Sequence, residues 1–433
     1  MQVGTQSGLL EGLTLAIQRQ PEAYVLRSWL GLAAGEISFA DYYKIASERL
    51  QLSYLTIDTT GACDLSCSDM CYYNPAIDTR LGLVSEKVLT RAIDEADTHL
   101  DLQTMVLAGK EPFLNARRVF ALLRHCGSLE HRSFTVGVVT NGRLLNRHWD
   151  GLQDAARNHC LDFLDISIDS GFPSQHDRIR GQTGTFDLAF AAACEAHARL
   201  SGVRISVTSI LRQDNPEGIL ELLRNASPSL RCFHVFPIQP PPFVTTQPLE
   251  AEFVVAFLAN LKRLLKGELA GAGVEITVTL PGLYLSEAVG SSLFEWADLE
   301  ENHQGACFAR KEVEGNSIVY ACLVLPEQAS RLARITYDGA YLAHLHFLQA
   351  PQPQAYAVGY IQEESIVSLY RKAIGVGNHF HQIVNSRAHH ECSGRSCWQS
   401  CFGGWVVAEN AFLNGQTLTA QPRLCPKEKE TPH

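Results

Sequence analysis

Three cysteines, Cys63, Cys67 and Cys71, stand close together just after a short apolar run, Tyr54-Leu55-Thr56-Ile57, that reads as a strand. Three thiolates on one loop can hold three irons of a cubane iron–sulfur cluster and leave the fourth iron open to a ligand. The chain has 13 cysteines in all, and their distribution separates their roles. Cys307, Cys322, Cys392, Cys397, Cys401 and Cys425 form a second group in the last third, where Cys392-x4-Cys397-x3-Cys401 repeats the close spacing. Cys126, Cys160, Cys194 and Cys232 are scattered through helical or strand patterns and read as small buried apolar residues.

Composition bounds what such centres could serve. The 433 residues carry a net charge of −10 and are 46% hydrophobic, which suits a globular chain of two or three domains. The charge balance argues against a nucleic-acid partner. No apolar run approaches the ~20 residues of a membrane span, and the first residues lack a signal-peptide pattern. The expected location is the cytoplasm, where a disulfide framework is not the expected use of cysteine.

Around the first cysteine trio, strand patterns alternate with helix patterns. Residues 104–107, 135–139, 163–168, 203–208 and 232–236 read as strands, with helices over 85–99, 116–126, 186–200 and 217–225 between them. That alternation predicts a parallel sheet of about six βα units, an α/β partial (β/α)6 barrel of TIM type, with ligands at the carboxyl ends of its strands. Residues 1–52 read as an N-terminal helical segment, 53–240 as the core, 241–300 as a bridging helical region and 301–433 as a C-terminal cysteine-rich domain.

The strand ends carry further chemistry. After the second strand come Gly109-Lys110-Glu111-Pro112, a glycine that permits close backbone approach beside a carboxylate that can accept from an ammonium group. Thr140-Asn141-Gly142 follows the third strand as a polar turn. Ser167 and Asp169, two apart at the end of the fourth, suit a ribose diol, and the arginines of His176-Asp177-Arg178-Ile179-Arg180-Gly181 suit a carboxylate. Together they describe a receptor for a molecule with an amine, a carboxylate and a ribose.

In these motifs the sequence resembles the radical S-adenosylmethionine (radical SAM) enzymes over about residues 53–240. The resemblance implies a [4Fe–4S] cluster on Cys63, Cys67 and Cys71. It also implies a SAM site drawing on Gly109, Glu111, Asn141, Ser167, Asp169 and Arg180. Reductive cleavage of SAM would give a 5′-deoxyadenosyl radical, with the electron coming from a donor such as flavodoxin or ferredoxin. The spacing here is C-x3-C-x3-C where the family has C-x3-C-x2-C. Met70 takes the place of the third cysteine, and Cys71 is kept as the ligand because a thioether is a poor substitute for a thiolate.

The C-terminal cysteines resemble the SPASM extension of the same enzymes. Cys307 and Cys322 flank an expected hairpin turning at Gly315-Asn316, and Cys401-Phe402-Gly403-Gly404-Trp405 is similar to the family's Cys-x-Gly-Gly-Cys with tryptophan in the last place. By that resemblance Cys392, Cys397, Cys401 and Cys425 complete one auxiliary iron–sulfur cluster, while Cys307 and Cys322 are too few for a second. A rearranged ligation that recruits those two, or a zinc site on the four, are the alternatives. Histidines 344, 346, 379, 381, 389 and 390 read as surface or core residues ahead of metal ligands.

The implied activity is maturation of a ribosomally made precursor peptide, by crosslinking, oxidation, epimerisation or backbone excision, with a separate leader-binding protein as a further expected partner. Oxidation of a small molecule and a non-catalytic iron–sulfur scaffold are the alternatives. Thr208, His234 and Gln239 are the candidates for substrate acid–base chemistry.

Overall fold

The computed structural model describes residues 6–38, 41, 52–67, 70, 71, 73, 82–238, 249–302, 306–323, 332–343, 347, 348 and 352–375. Its centre is one parallel run of strands: β1 Tyr54–Asp58, β2 Thr104–Ala108, β3 Thr135–Thr140, β4 Phe163–Ser167, β5 Arg204–Leu211, β6 Cys232–Pro237 and β7 Glu275–Pro281, paired in chain order. β-branched and aromatic residues dominate these segments, and side chains alternate between faces. In β4, Leu164 and Ile166 are buried on one face while Phe163, Asp165 and Ser167 stay half-buried on the other, the lumen face.

Helices cover the outer face: α3 Glu86–His99, α4 Ala116–Gly127, α5 Trp149–Arg157, α6 Pro173–Arg180, α7 Thr185–Arg199 and α8 Pro216–Ala226. Their limits follow local chemistry. The Ser85 side chain accepts from the Val88 N–H and starts α3. Pro173 and Pro216 open α6 and α8 where a missing N–H costs nothing. In α4, Val119, Leu122, Leu123 and Cys126 form a buried stripe at helical spacing, and each fully buried leucine contributes about 2 kcal/mol. This is the α/β partial barrel read from the sequence, extended by one strand. β7 lies in the span assigned to the bridge, after the amphipathic helix α9 Ala251–Lys266.

The sheet runs on at both ends. Beyond β7 come β10 Asn316–Leu323, parallel to it, then antiparallel β9 Cys307–Val313 and β8 Leu299–Glu301. Beyond β1 come β11 Leu332–Ile335, parallel, then β12 Ala340–Leu342 and β13 Gly359–Tyr360. The expected hairpin is there, with its turn one residue earlier. Glu314 and Gly315 both take positive φ, 49° and 77°, as a two-residue turn between right-twisted strands requires. Asn316 instead opens β10, and its amide bonds Val274 N–H and the Leu269 carbonyl.

At the N-terminus, α1 Gln6–Arg19 buries Leu9, Leu13 and Ala16, and α2 Tyr24–Ala34 buries Leu26 and Trp29. Both pack on the β8 edge. Trp29 meets Trp296 edge to face at 5.7 Å, and the Leu26 N–H donates to the Glu301 carboxylate at 3.0 Å. The packing segment expected from the sequence is what α1 and α2 form, while residues 42–51, also read as helical, lie outside the described residues.

Candidate functional site

The loop from Cys63 to Cys71 leaves the carboxyl end of β1. Its three cysteines are free, Cys63 exposed and Cys67 and Cys71 half-buried. Met70 turns away into the hydrophobic core, 9% exposed, so the residue standing in the family's third cysteine position faces inward. The Cys71 N–H donates to the Cys67 carbonyl at 3.2 Å, one helical turn that carries the chain between them. Burial pushes the Cys63 thiol up to about 11 and raises that of Cys67, so neither is a thiolate until a cation is bound.

Long-range contacts fix this loop from the end of a strand and the end of a helix. From the end of β3, the Asn141 amide donates to Asp64 Oδ1 at 2.8 Å and the Arg143 guanidinium pairs with Asp64 Oδ2 at 2.5 Å. From the end of α6, Gly181 presses on Ser66. Its φ is +73°, and a Cβ there would lie 2.5 Å from the Ser66 carbonyl oxygen, so only glycine fits. The Cys67 Sγ lies 3.7 Å from the carbonyl oxygen of Arg180, and the buried Arg180 guanidinium draws the Cys67 pKa back down against the burial that raises it.

The motif around Arg180 divides its labour. His176 accepts the Asp169 N–H on Nδ1 at 3.1 Å, and burial pushes its pKa down to about 4, which keeps it a neutral acceptor. Asp177 caps α7 by accepting from the Gly184 and Phe186 N–H groups at 2.6 and 2.8 Å. Arg178 leaves the site and pairs with Asp214, whereas Arg180 turns inward and pairs with Asp169 at 2.7 Å. Asp169 is fully buried and also accepts from the Ile210 N–H at 2.9 Å, so it braces β4 against β5 and holds Arg180 beside the loop.

Glu111 is buried at the end of β2. It accepts from the Phe113 N–H at 3.1 Å, the Thr140 hydroxyl at 2.8 Å and the Asn141 N–H at 2.9 Å. A carboxylate offers about four acceptor positions, so one is left for a ligand. Burial pushes its pKa up to about 7 in spite of these three donors. Gly109, with φ +94°, packs its backbone against Thr60, where a Cβ would meet the carbonyl oxygen at 2.5 Å. Its close approach is to the β1 exit. Ser167 closes β4 on the lumen face with no hydrogen bond to its hydroxyl among the described residues. Of the six residues expected at the SAM site, Glu111 has an acceptor position and Ser167 a hydroxyl without a partner among the described residues, while Asn141 also bonds Asp64 and Arg180 also pairs with Asp169.

These residues fit a cluster and a zwitterionic ligand. Three free thiols share one braced loop, a carboxylate with a spare acceptor lies at the neighbouring strand end, and an unbonded hydroxyl sits on the lumen wall. No three donors among the described residues converge on one metal ion, and a cubane spreads its thiolates over three separate irons. Cys307 and Cys322 are directly opposite each other across β9 and β10, both buried. Cys392, Cys397, Cys401, Cys425, Trp405, Gln239 and the histidines from 344 onward lie outside the described residues.

Residues 57–226 match the family model of the Radical SAM superfamily. Over this segment the chain is similar to that superfamily. The segment spans the cluster loop and strands β2 to β5 with their helices, and ends at the close of α8. In overall structure the chain is similar to SuiB from Streptococcus suis bound to S-adenosylmethionine, with a TM-score of 0.61, 14% identity, and coverage of 91% of this chain and 80% of that one. It is also similar to native anSMEcpe with bound AdoMet, at a TM-score of 0.54 and 15% identity, covering 81% of this chain and 88% of that one. No curated protein matches the chain in sequence. No described helix is long and apolar enough to cross a membrane.

Several site residues escaped the sequence reading. Asp64 and Arg143 are contacts 79 residues apart, and Arg334 reaches Asp58 across 276. Asp165 is the other omission. It accepts from the Thr208 hydroxyl at 2.6 Å and the Ser206 hydroxyl at 3.1 Å, and faces His234 Nδ1 at 4.0 Å. A lone aspartate inside the apolar strand Phe-Leu-Asp-Ile-Ser was the available signal, because a charge at a lumen position of a strand needs partners.

Proposed function

We propose that the chain is a radical SAM enzyme that modifies a ribosomally synthesised peptide, with Cys63, Cys67 and Cys71 holding a [4Fe–4S] cluster and Glu111 and Ser167 receiving SAM. The observation that carries this reading is the loop itself, three free thiols fastened from the ends of β3 and α6 beside a buried carboxylate with a spare acceptor. When bound and reduced, such a cluster supplies the electron that cleaves SAM to a 5′-deoxyadenosyl radical. The chain's residues do the rest. Glu111 takes the ammonium group of SAM, the Ser167 hydroxyl takes the ribose, and Arg180, held by Asp169, keeps a positive charge beside Cys67.

Substrate then meets the lumen face of β4 to β6, where Asp165, Thr208 and His234 form a polar niche below Ser167. Burial lowers the His234 pKa, which leaves a neutral imidazole able to accept a proton. SuiB and anSMEcpe are both described with SAM bound, and their folds follow this chain well past the radical SAM segment. That span supports a C-terminal SPASM-like domain, with Cys392, Cys397, Cys401 and Cys425 as ligands of one auxiliary cluster. The partners proposed are a precursor peptide, a leader-binding protein and a flavodoxin- or ferredoxin-type donor.

The test uses anaerobically reconstituted chain, reductant, SAM and a panel of short synthetic peptides, including any encoded beside the gene. The expected result is 5′-deoxyadenosine together with a peptide mass change. If 5′-deoxyadenosine forms but only a small molecule is altered, the peptide assignment is wrong and the radical chemistry stands.

A further inference from the structure

Two residues at the stems of the cluster loop meet a third from the far end of the chain. Asp58 closes β1 five residues before Cys63, and Tyr73 lies two residues after Cys71. The Tyr73 hydroxyl donates to Asp58 Oδ1 at 2.9 Å, so one hydrogen bond closes the neck of the cysteine loop. Arg334, on β11, pairs with the same Asp58 oxygen at 2.6 Å, donates to the Tyr73 hydroxyl, and lies over the Tyr73 ring at 5.3 Å. The pair is buried, with side-chain exposures of 11% for Arg334 and 0% for Asp58.

Geometry makes Arg334 the common partner. β11 pairs in parallel with β1, placing Thr56 opposite Arg334, so the guanidinium extends along the lumen face one residue pair toward Asp58. A planar fork can bond the carboxylate and the phenol oxygen together and still stack on the ring, which an ammonium group cannot do. Among the described residues Asp58 Oδ2 and Arg334 Nε are buried without a hydrogen bond, so the pair's bonding rests on Asp58 Oδ1, the Arg334 terminal nitrogen and the Tyr73 hydroxyl.

We propose that Arg334 is a positioning residue for the cluster loop, a latch by which the C-terminal half of the chain closes the loop's neck before metal arrives. The idea rests on the reading of Cys63, Cys67 and Cys71 as cluster ligands. Closing a loop fixes entropy that the incoming cluster would otherwise have to overcome. The latch also makes the radical SAM segment depend on a strand lying outside the matched residues 57–226.

The experiment uses full-length chain throughout. Tyr73→Phe removes the neck hydrogen bond and keeps the ion pair. The pair Arg334→Met with Asp58→Asn removes the latch without leaving a lone buried charge. Hydrogen exchange is followed first on metal-free protein. Peptides covering 58–73 should exchange about threefold faster in Tyr73→Phe and at least tenfold faster in the double variant, with β3 to β6 unchanged. After anaerobic reconstitution, iron should pass to a ferrous chelator faster in the same order, with Arg334→Lys falling between wild type and the double variant. Unchanged exchange over 58–73 in both variants overturns the latch, as does an equal rise across β3 to β6, which marks a general structural pair. A wild-type chain that takes up no iron defeats the cluster reading instead, and the metal-free exchange still decides the latch.

Discussion

Glu111 shows how one buried side chain can set the working range of a site. Its carboxyl is pushed up to about 7 by burial, against an ordinary value of 4.5. The sign follows from proton linkage. The folded state holds its proton more tightly than the unfolded chain, so Glu111 favours the fold below pH 4.5. That contribution fades as the pH rises through about 7, a span worth about 3 kcal/mol. In the role proposed for Glu111, ligand binding runs the other way, because the ammonium group of SAM would need the ionised carboxylate. SAM affinity should therefore weaken as the pH falls below 7, by up to tenfold per unit. Titration calorimetry of reconstituted protein at pH 6, 7 and 8 measures this. Glu111→Gln should weaken binding at all three values and remove the trend, and an unchanged pH dependence in that variant would assign it to another group.

At the scale of elements, the site is a set of strand ends that pull one loop into place. α6 is the element that presses hardest, through Arg180 beside Cys67 and Gly181 against Ser66. Gly181→Ala should cost about 1–3 kcal/mol, from the left-handed φ of +73° and the contact with the Ser66 carbonyl. The same substitution should lower the iron bound per chain, because the strain falls on the loop. Thermal unfolding of metal-free protein and an iron assay separate the two effects, and a stable variant with full iron would show that α6 does not brace the loop.

Much of this arrangement was legible in the sequence. β1 to β6 and the helices α3, α4, α7 and α8 announced themselves by period and by β-branched runs, whereas the short helices α5 and α6 were not read. β7 carried a usable signal too, since Glu275-Ile276-Thr277-Val278-Thr279 alternates polar and apolar, but the helical stretch of α9 before it drew the segment into a bridge. The braces were not legible. Asn141 and Asp169 looked like cofactor contacts because a polar residue at a strand end has the same local signature whether it faces a ligand or another loop. Only the fold shows that Asn141 bonds Asp64 and that Asp169 pairs with Arg180.

Across the whole molecule, one sheet of 13 strands connects everything described. The radical SAM segment lies in its middle, α1 and α2 pack at the β8 edge, and β11 to β13 extend the other edge beside the cluster loop. The cysteine pair of the β9–β10 hairpin belongs to the same sheet, so an auxiliary centre near it would be held rigidly relative to the barrel.

The central claim is that the loop of Cys63, Cys67 and Cys71 carries a cluster with one iron open to SAM. Electron paramagnetic resonance tests it most directly, on anaerobically reconstituted, reduced protein in which Cys392, Cys397, Cys401 and Cys425 are replaced by alanine, so that the early trio is observed without the later group. Adding SAM should change the signal of the reduced [4Fe–4S] cluster, and replacing Cys71 as well should abolish that signal. A cluster signal indifferent to SAM, or one that survives the loss of Cys71, would contradict the account.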